Sequence, residues 1–322
     1  MTDDAPPPLG MIGYLAPEGF ESELEHELAA AGRAPELRHG RLLFAPGPPL
    51  ACAWTANVWF DPVRMAIGSI TDGAKKLRAI QRNWALYPVH LHRRASLIAE
   101  QLPSVSAKPL MFPAAAPTAP LGSWTLLDER TIVAAARCAS PFPNGVVRFG
   151  EDRSGPPNRA YLKLWEAFTV LGAWPVPDER CVDLGASPGG WSWVLARLGA
   201  EVVSVDKAPL AAAVARLPNV TERKASAFAL SPADLGPVDW LFSDVVCYPE
   251  RLYRLVTSWI EAGACRHIAA TIKFQGRTDF ESQARFAAIP GGRLVHLHHN
   301  KHELTFFWAA DAGDPTPCNG AV

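Results

Sequence analysis

The chain has 322 residues, 48% of them hydrophobic, with 31 lysines and arginines against 32 acidic residues and a formal charge of −1. At about 100–200 residues per domain, that length predicts two domains with cores of their own, and the even charge balance excludes a polyelectrolyte that binds by net charge alone. No apolar run approaches the ~18 residues of a membrane helix, and the acidic start Met1-Thr-Asp-Asp-Ala lacks a secretory signal's basic flank, so a cytoplasmic protein that stays off membranes is expected, with a monomer favoured.

In chain order, Met11–Leu15 reads as a strand, Gly19–Ala31 as a helix with Phe20, Leu24 and Leu28 on one face and Gly32 as its stop, and Arg41–Phe44 as a second strand. Glu21, Glu23, Glu25 and Glu27 form a solvated face. Lys75, Lys76, Arg78, Arg82, Arg93 and Arg94 follow with no Asp or Glu between Lys75 and Arg94, interleaved with Trp84, Tyr87, His90 and His92. Cations that track phosphates beside aromatic rings that stack on unpaired bases suit RNA; the competing reading is a solvated helix ending in a turn at Pro88. Pro103–Pro120 reads as an extended crossing or linker, and Asp128–Arg137 as a helix. Gly, Pro, Ser and Asn then cluster from Phe149 to Pro157, which places a boundary between a domain at 1–150 and one at 151–322.

Beyond that boundary strands and helices alternate. Candidate strands are Cys181–Asp183, Glu201–Val205, Val238–Ser243, His267–Lys273, Gly292–His298 and Leu304–Ala309; candidate helices are Ala160–Leu171, Gly190–Gly199, Glu250–Gly263 and Phe280–Ala288. Repeated β–α units predict an α/β fold: a doubly wound, Rossmann-like domain with a mostly parallel sheet and an antiparallel terminal hairpin, preceded by a smaller α+β domain.

The first of these strands runs into Gly185-Ala-Ser187-Pro188-Gly189-Gly190-Trp191, a glycine-rich turn that opens a helix, as a nucleotide-cofactor loop does. Asp206, about 20 residues beyond, stands where an adenosine ribose is held by its hydroxyls. The glycine spacing is not that of a dinucleotide fingerprint, since Ser187 occupies the second glycine position. A turn without phosphate-binding spacing favours S-adenosylmethionine over a nicotinamide dinucleotide, and so a methyltransferase over an oxidoreductase.

Four ionisable residues fall at strand or helix ends near that loop: Lys163, Asp244, Lys273 and Glu303. Lys273 follows the apolar run Ile268–Ile272, and burial beside another cation lowers a lysine pKa toward that of a usable base. His296, His298, His299 and His302 lack a cysteine or carboxylate cluster and read as a hairpin rather than a zinc site; no metal is expected, and the scattered cysteines predict reduced thiols.

Lys163, the loop Asp183–Gly190, Asp206, Asp244, Lys273 and Glu303 occur in an order that resembles the FtsJ-like family of ribose 2′-O-methyltransferases. Within it, Leu162-Lys163-Leu164, Ser243-Asp244-Val-Val, Ile272-Lys273-Phe and His302-Glu303-Leu-Thr-Phe are similar to the branch that acts on a cytidine ribose of bacterial large-subunit ribosomal RNA. Tyr14–Leu24 and Ala139–Val146 resemble that branch's amino-terminal half. The resemblance implies S-adenosylmethionine as cofactor, bound by Gly185, Ser187, Pro188, Gly189, Gly190, Trp191, Asp206, Ser226 and Asp244. It further implies a K-D-K-E tetrad of Lys163, Asp244, Lys273 and Glu303, a THUMP-like RNA-binding region over residues 1–150, and ribosomal RNA as partner. Two positions depart from the pattern: Ser226 replaces an acidic residue that faces the adenine, and Ala160 a small hydroxyl residue. Alternatives are a methyltransferase of transfer or capped RNA, or a catalytically silent RNA-binding relative.

Overall fold

The computed structural model describes residues 7–105 and 108–311; the start Met1-Thr-Asp-Asp-Ala, Ser106 and Ala107 of the proline-rich stretch, and Cys318 lie outside them. Contacts divide the chain into two compact units. One takes the described residues up to Leu110 with Ala116–Arg148, and the other Met111–Ala115 with the described residues from Phe149 onward.

The amino unit contains β1 (Met11–Leu15), α1 (Glu21–Ala30), β2 (Leu37–His39), β3 (Leu42–Pro46), β4 (Asn57–Phe60), β5 (Val63–Ala66), α2 (Ile70–Ile80), β6 (Trp84–Leu86), α3 (His92–Ala99), β7 (Gly122–Asp128), β8 (Thr131–Ala135) and β9 (Arg137–Cys138). These form two sheets, ordered β2-β3-β1-β4-β9 and β5-β8-β7-β6. Helix α1 buries Leu24 and Leu28 completely, as their spacing requires. The segment Asp128–Arg137, expected to be helical, is instead the second half of a hairpin in which Leu126 faces Ile132 and Asp128 faces Thr131. Its Thr-Ile-Val run prefers a pleated surface, and Ile132, Val133, Ala134 and Ala135 are all buried, so both faces of β8 are covered and no alternation marks it.

The basic stretch spans α2, β6 and the start of α3. Ser69 caps α2 by accepting from the Asp72 N–H at 3.1 Å. The interleaved rings do not form a stacking platform: Trp84 and Tyr87 are buried. Trp84 Nε1 donates to the Leu77 carbonyl, and the Tyr87 hydroxyl accepts from the Arg41 N–H. Aromatic side chains this large bury more favourably than they wait for a ligand in water.

The second unit contains α4 (Tyr161–Leu171), β10 (Arg180–Leu184), α5 (Gly190–Arg197), β11 (Glu201–Asp206), α6 (Ala212–Ala215), β12 (Val220–Lys224), α7 (Pro232–Leu235), β13 (Val238–Ser243), α8 (Pro249–Glu261), β14 (Cys265–Lys273), α9 (Phe280–Ala287), β15 (Gly292–Val295) and β16 (Glu303–Ala309). Its seven strands are ordered β12-β11-β10-β13-β14-β16-β15. Neighbours from β12 to β14 run parallel, while β16 is antiparallel to both β14 and β15. This is a mixed α/β unit built on a largely parallel sheet. Chain order reverses between β10 and β13, where strand ends leave a crevice above the sheet. The inner strands are largely apolar, with Cys181, Val182, Leu241, Phe242, Ile268 and Ala269 at the centre of the core.

Two expectations need correction. β12 was not anticipated, because Thr221-Glu-Arg-Lys224 is an exposed edge with no apolar alternation. The strand expected over Gly292–His298 ends at Val295, and residues 296–302 form the connection to β16. Among the described residues no helix is long and apolar enough to cross a membrane.

Candidate active site

The glycine-rich turn keeps its shape because side chains would not fit it. Gly185 has φ +84°, and a Cβ there would meet the Val245 backbone at 2.8 Å; a Cβ on Gly190 would lie 2.2 Å from Asn158 Oδ1. The bare backbone therefore lines a cleft, joined by Ser187, Trp191 and Asp244. Pro188, Gly189, Asp206 and Ser226 do not line it. Asp206 instead ties the turn to the end of β11, its Oδ2 accepting from Ser187 N at 3.0 Å and its Oδ1 from Ala208 N at 2.9 Å. Ser226 Oγ accepts from Phe228 N within its own turn. Asn158, Ala160, Ala186 and Asp183 complete the wall. No role was anticipated for Asn158, Ala186 or Asp183; the carboxylate of Asp183, set in an otherwise apolar strand, was the available signal.

The four charged residues converge. Lys163 on α4 places Nζ 3.0 Å from Asp244 Oδ1 and 2.6 Å from Glu303 Oε1. Lys273, at the end of β14, places Nζ 3.0 Å from the same Asp244 oxygen and donates to the Asp244 carbonyl at 2.6 Å. Two features of the sheet bring this about: Asp244 leaves the carboxyl end of β13, and the antiparallel pairing sets Glu303 directly opposite Lys273. Lys163 is 8% exposed and Glu303 7%.

Burial disfavours the Lys163 ammonium, but the carboxylates of Asp244 and Glu303 outweigh it and hold its pKa above the ordinary lysine value. Burial likewise disfavours the Asp244 carboxylate. The two lysines win there too, and its pKa lies below the usual carboxylate range. Asp244 thus stays ionised, with one face toward the cations and one toward the cleft.

The connection before Glu303 is held from α4. Glu166, 2% exposed, accepts from His298 N at 2.6 Å, His299 N at 2.9 Å and His299 Nδ1 at 2.6 Å. Asn300 then donates to the Glu303 carbonyl and to Thr305 Oγ1. His296 contacts the Lys301 carbonyl and His302 the Thr278 hydroxyl. Among the described residues no group of three or more His, Cys, Asp or Glu is arranged to hold a metal ion.

In the amino unit Lys75, Lys76, Arg78, Arg82 and Arg93 are exposed and Arg94 is half-buried. Lys76 pairs with Asp72 at 3.2 Å, and Arg78 donates to the Gln101 carbonyl.

Residues 156–258 match the model of the FtsJ-like methyltransferase family. Those residues carry Lys163, the glycine turn, Asp206 and Asp244; Lys273 and Glu303 lie beyond them. Ribosomal RNA large subunit methyltransferase M of Halorhodospira halophila is 36% identical over 188 residues, covering 56% of this chain and 55% of that protein. The protein of the same name from Azoarcus is 35% identical over 187 residues, covering 53% and 50%. A third, from Alkalilimnicola ehrlichii, is 34% identical over 204 residues, covering 58% and 56%. The chain spans about half the length of the curated relatives it matches.

Proposed function

We propose that this chain is an S-adenosylmethionine-dependent RNA methyltransferase. In this reading the target is a ribose 2′-hydroxyl of large-subunit ribosomal RNA, and the amino unit is the RNA-binding, THUMP-like part of the protein. The observation that carries the reading is the convergence of Lys163, Asp244, Lys273 and Glu303 at a point where Asp244 also lines the cleft. The cleft suits the cofactor: Gly185 and Gly190 leave backbone bare for a ligand without phosphates, and a buried oxygen of Asp183 has no protein partner among the described residues.

S-adenosylmethionine, when bound, supplies a methyl group already activated by its sulfonium. What remains for the protein is to align a hydroxyl and remove its proton. Lys273 takes that proton at Nζ. It has the smaller share of carboxylate contact, touching Asp244 alone, and the greater access to solvent, with a side chain 20% exposed against 9% for Lys163. Asp244 orients Lys273 through the 3.0 Å contact. Lys163, locked between two carboxylates, fixes Asp244 and positions the hydroxyl, while Glu303 keeps Lys163 charged.

Mapping ribose methylation in ribosomal RNA from cells with and without the gene tests the substrate. Loss of one 2′-O-methyl mark that Lys273→Met fails to restore is the expected result; an unchanged methylation map overturns the reading.

A further inference from the structure

Asp183 belongs to the cleft wall, yet neither the ion-pair cluster nor the backbone turn accounts for it. Its side chain is 1% exposed. Oδ2 accepts from Ser192 Oγ at 2.6 Å, and that hydroxyl accepts from Ser204 Oγ at 2.7 Å, so a short relay reaching into the sheet serves one oxygen. The other, Oδ1, is buried with no hydrogen-bond partner among the described residues. Such an atom is costly in a folded protein and points to a partner supplied from outside.

The charged groups around it narrow what that partner is. Asp244 faces Asp183 from the end of β13 and Asp206 from the end of β11, both acidic; α5 adds the Ser192 hydroxyl and the middle of β11 the Ser204 hydroxyl. The nearby cations are committed elsewhere, Lys163 to Asp244 and Glu303, and Lys273 to Asp244. Burial pushes the Asp183 carboxyl up to about 7, the Ser192 hydroxyl pulls against that, and the neighbouring carboxylates add to the rise. A cationic donor entering the cleft would satisfy Oδ1 and favour the ionised form together.

We propose that Oδ1 of Asp183 receives the α-ammonium at the amino-acid end of the methyl donor, and that this contact drives the carboxyl proton into solvent. The inference rests on the cleft being an S-adenosylmethionine site. The ammonium keeps its own protons; the one released comes from Asp183. Donor binding is therefore coupled to pH through a residue that takes no part in methyl transfer.

Calorimetric titration of the full chain with two nucleosides separates the possibilities. S-adenosylhomocysteine carries the α-ammonium but no transferable methyl; 5′-methylthioadenosine lacks the amino-acid end. Between about pH 5.5 and 8, S-adenosylhomocysteine affinity should rise toward about tenfold per pH unit below 7 and flatten above it. Proton release should appear as heats that depend on the buffer's ionisation enthalpy. Affinity for 5′-methylthioadenosine should stay flat. Asp183→Asn should abolish the pH dependence and weaken S-adenosylhomocysteine about tenfold or more at pH 8, leaving 5′-methylthioadenosine unchanged. Ser192→Ala, which keeps Oδ1 and loses the opposing hydrogen bond, should move the midpoint upward. Buffer-independent heats with pH-flat binding of S-adenosylhomocysteine overturn the proposal, as does an equal loss for both nucleosides in Asp183→Asn. If neither nucleoside binds, the methyl-donor reading of the cleft fails, and this inference with it.

Discussion

Replacing Glu303 by glutamine removes one of the two carboxylates that face Lys163 while keeping the side chain's shape. In the native protein Lys163 Nζ lies 2.6 Å from Glu303 and 3.0 Å from Asp244, in a site almost closed to water. After the change, two ammonium groups share the Asp244 carboxylate and one buried positive charge is left over. Stranding a buried charge completely costs about 3–5 kcal/mol. Asp244 still holds Lys163, so the expected loss is that of one hydrogen bond to a charged group, about 2–3 kcal/mol. At about 2–4 °C per kcal/mol for a domain of this size, Tm should fall by about 4–12 °C at neutral pH. The folded-state pKa of Lys163 is raised, so this stabilisation is complete below the unfolded lysine value of about 10.4 and fades as pH climbs through the folded one. The deficit of Glu303→Gln should accordingly be constant from about pH 7 to 10 and shrink at higher pH. Calorimetry of the single variants Glu303→Gln and Lys163→Met and of the double variant isolates the coupling. A native-like Tm for Glu303→Gln at pH 7, or additive losses in the double variant, would show that the pair contributes nothing and that the cluster is misread.

Lys273→Met should slow methyl transfer at least about a hundredfold, the usual share of a general base, with donor affinity unchanged; a near-native rate in single-turnover assays would give the proton to another group. In the donor-free protein the Asp183 carboxyl keeps its proton up to about pH 7, whereas an unfolded aspartate loses it near 3.8. The folded state thus binds more protons in that window, and stability should fall as pH rises across it, by up to about 4 kcal/mol, a slope that Asp183→Asn removes in denaturant titrations. Glu166→Ala deprives His298 and His299 of a shared acceptor, and should speed amide exchange over 296–302 while β10 and α5 keep their protection; unchanged exchange would contradict the proposed anchoring. Lys75→Gln together with Arg82→Gln should weaken RNA binding uniformly across sequences and reduce the salt slope by about 1.4 for single-stranded RNA; an intact slope would place the RNA surface elsewhere.

Much of the second unit was legible because its inner strands are largely apolar runs that alternate with helical segments, and a parallel sheet collects their carboxyl ends at one rim. That logic groups Lys163, Asp244, Lys273 and Glu303 from their positions in the sequence alone. It failed where burial pattern and polarity part company. β8 is covered on both faces and so shows no period, while β12 is a strand whose residues are nearly all polar. Trp84 and Tyr87 read as ligand-facing because they alternate with cations, yet the fold uses them as core. Asp183 shows in the sequence only its place before the glycine turn, because sequence does not reveal which carboxylate oxygens are left without a partner. Glu166 was passed over for a related reason: its donors are the N–H groups and ring of residues more than a hundred positions away.

The reversed direction of β16 makes the site sensitive to alignment in a way that its distances alone do not convey. Because the chain enters β16 at the rim where β14 leaves, Glu303 owes its place to a register that pairs it with Lys273. A slip of one residue would turn its side chain to the opposite side of the sheet; a slip of two would restore the side but carry the carboxylate about 7 Å along the strand. Lengthening or shortening the loop at 296–302 therefore puts the acid at risk even when every charged side chain is retained.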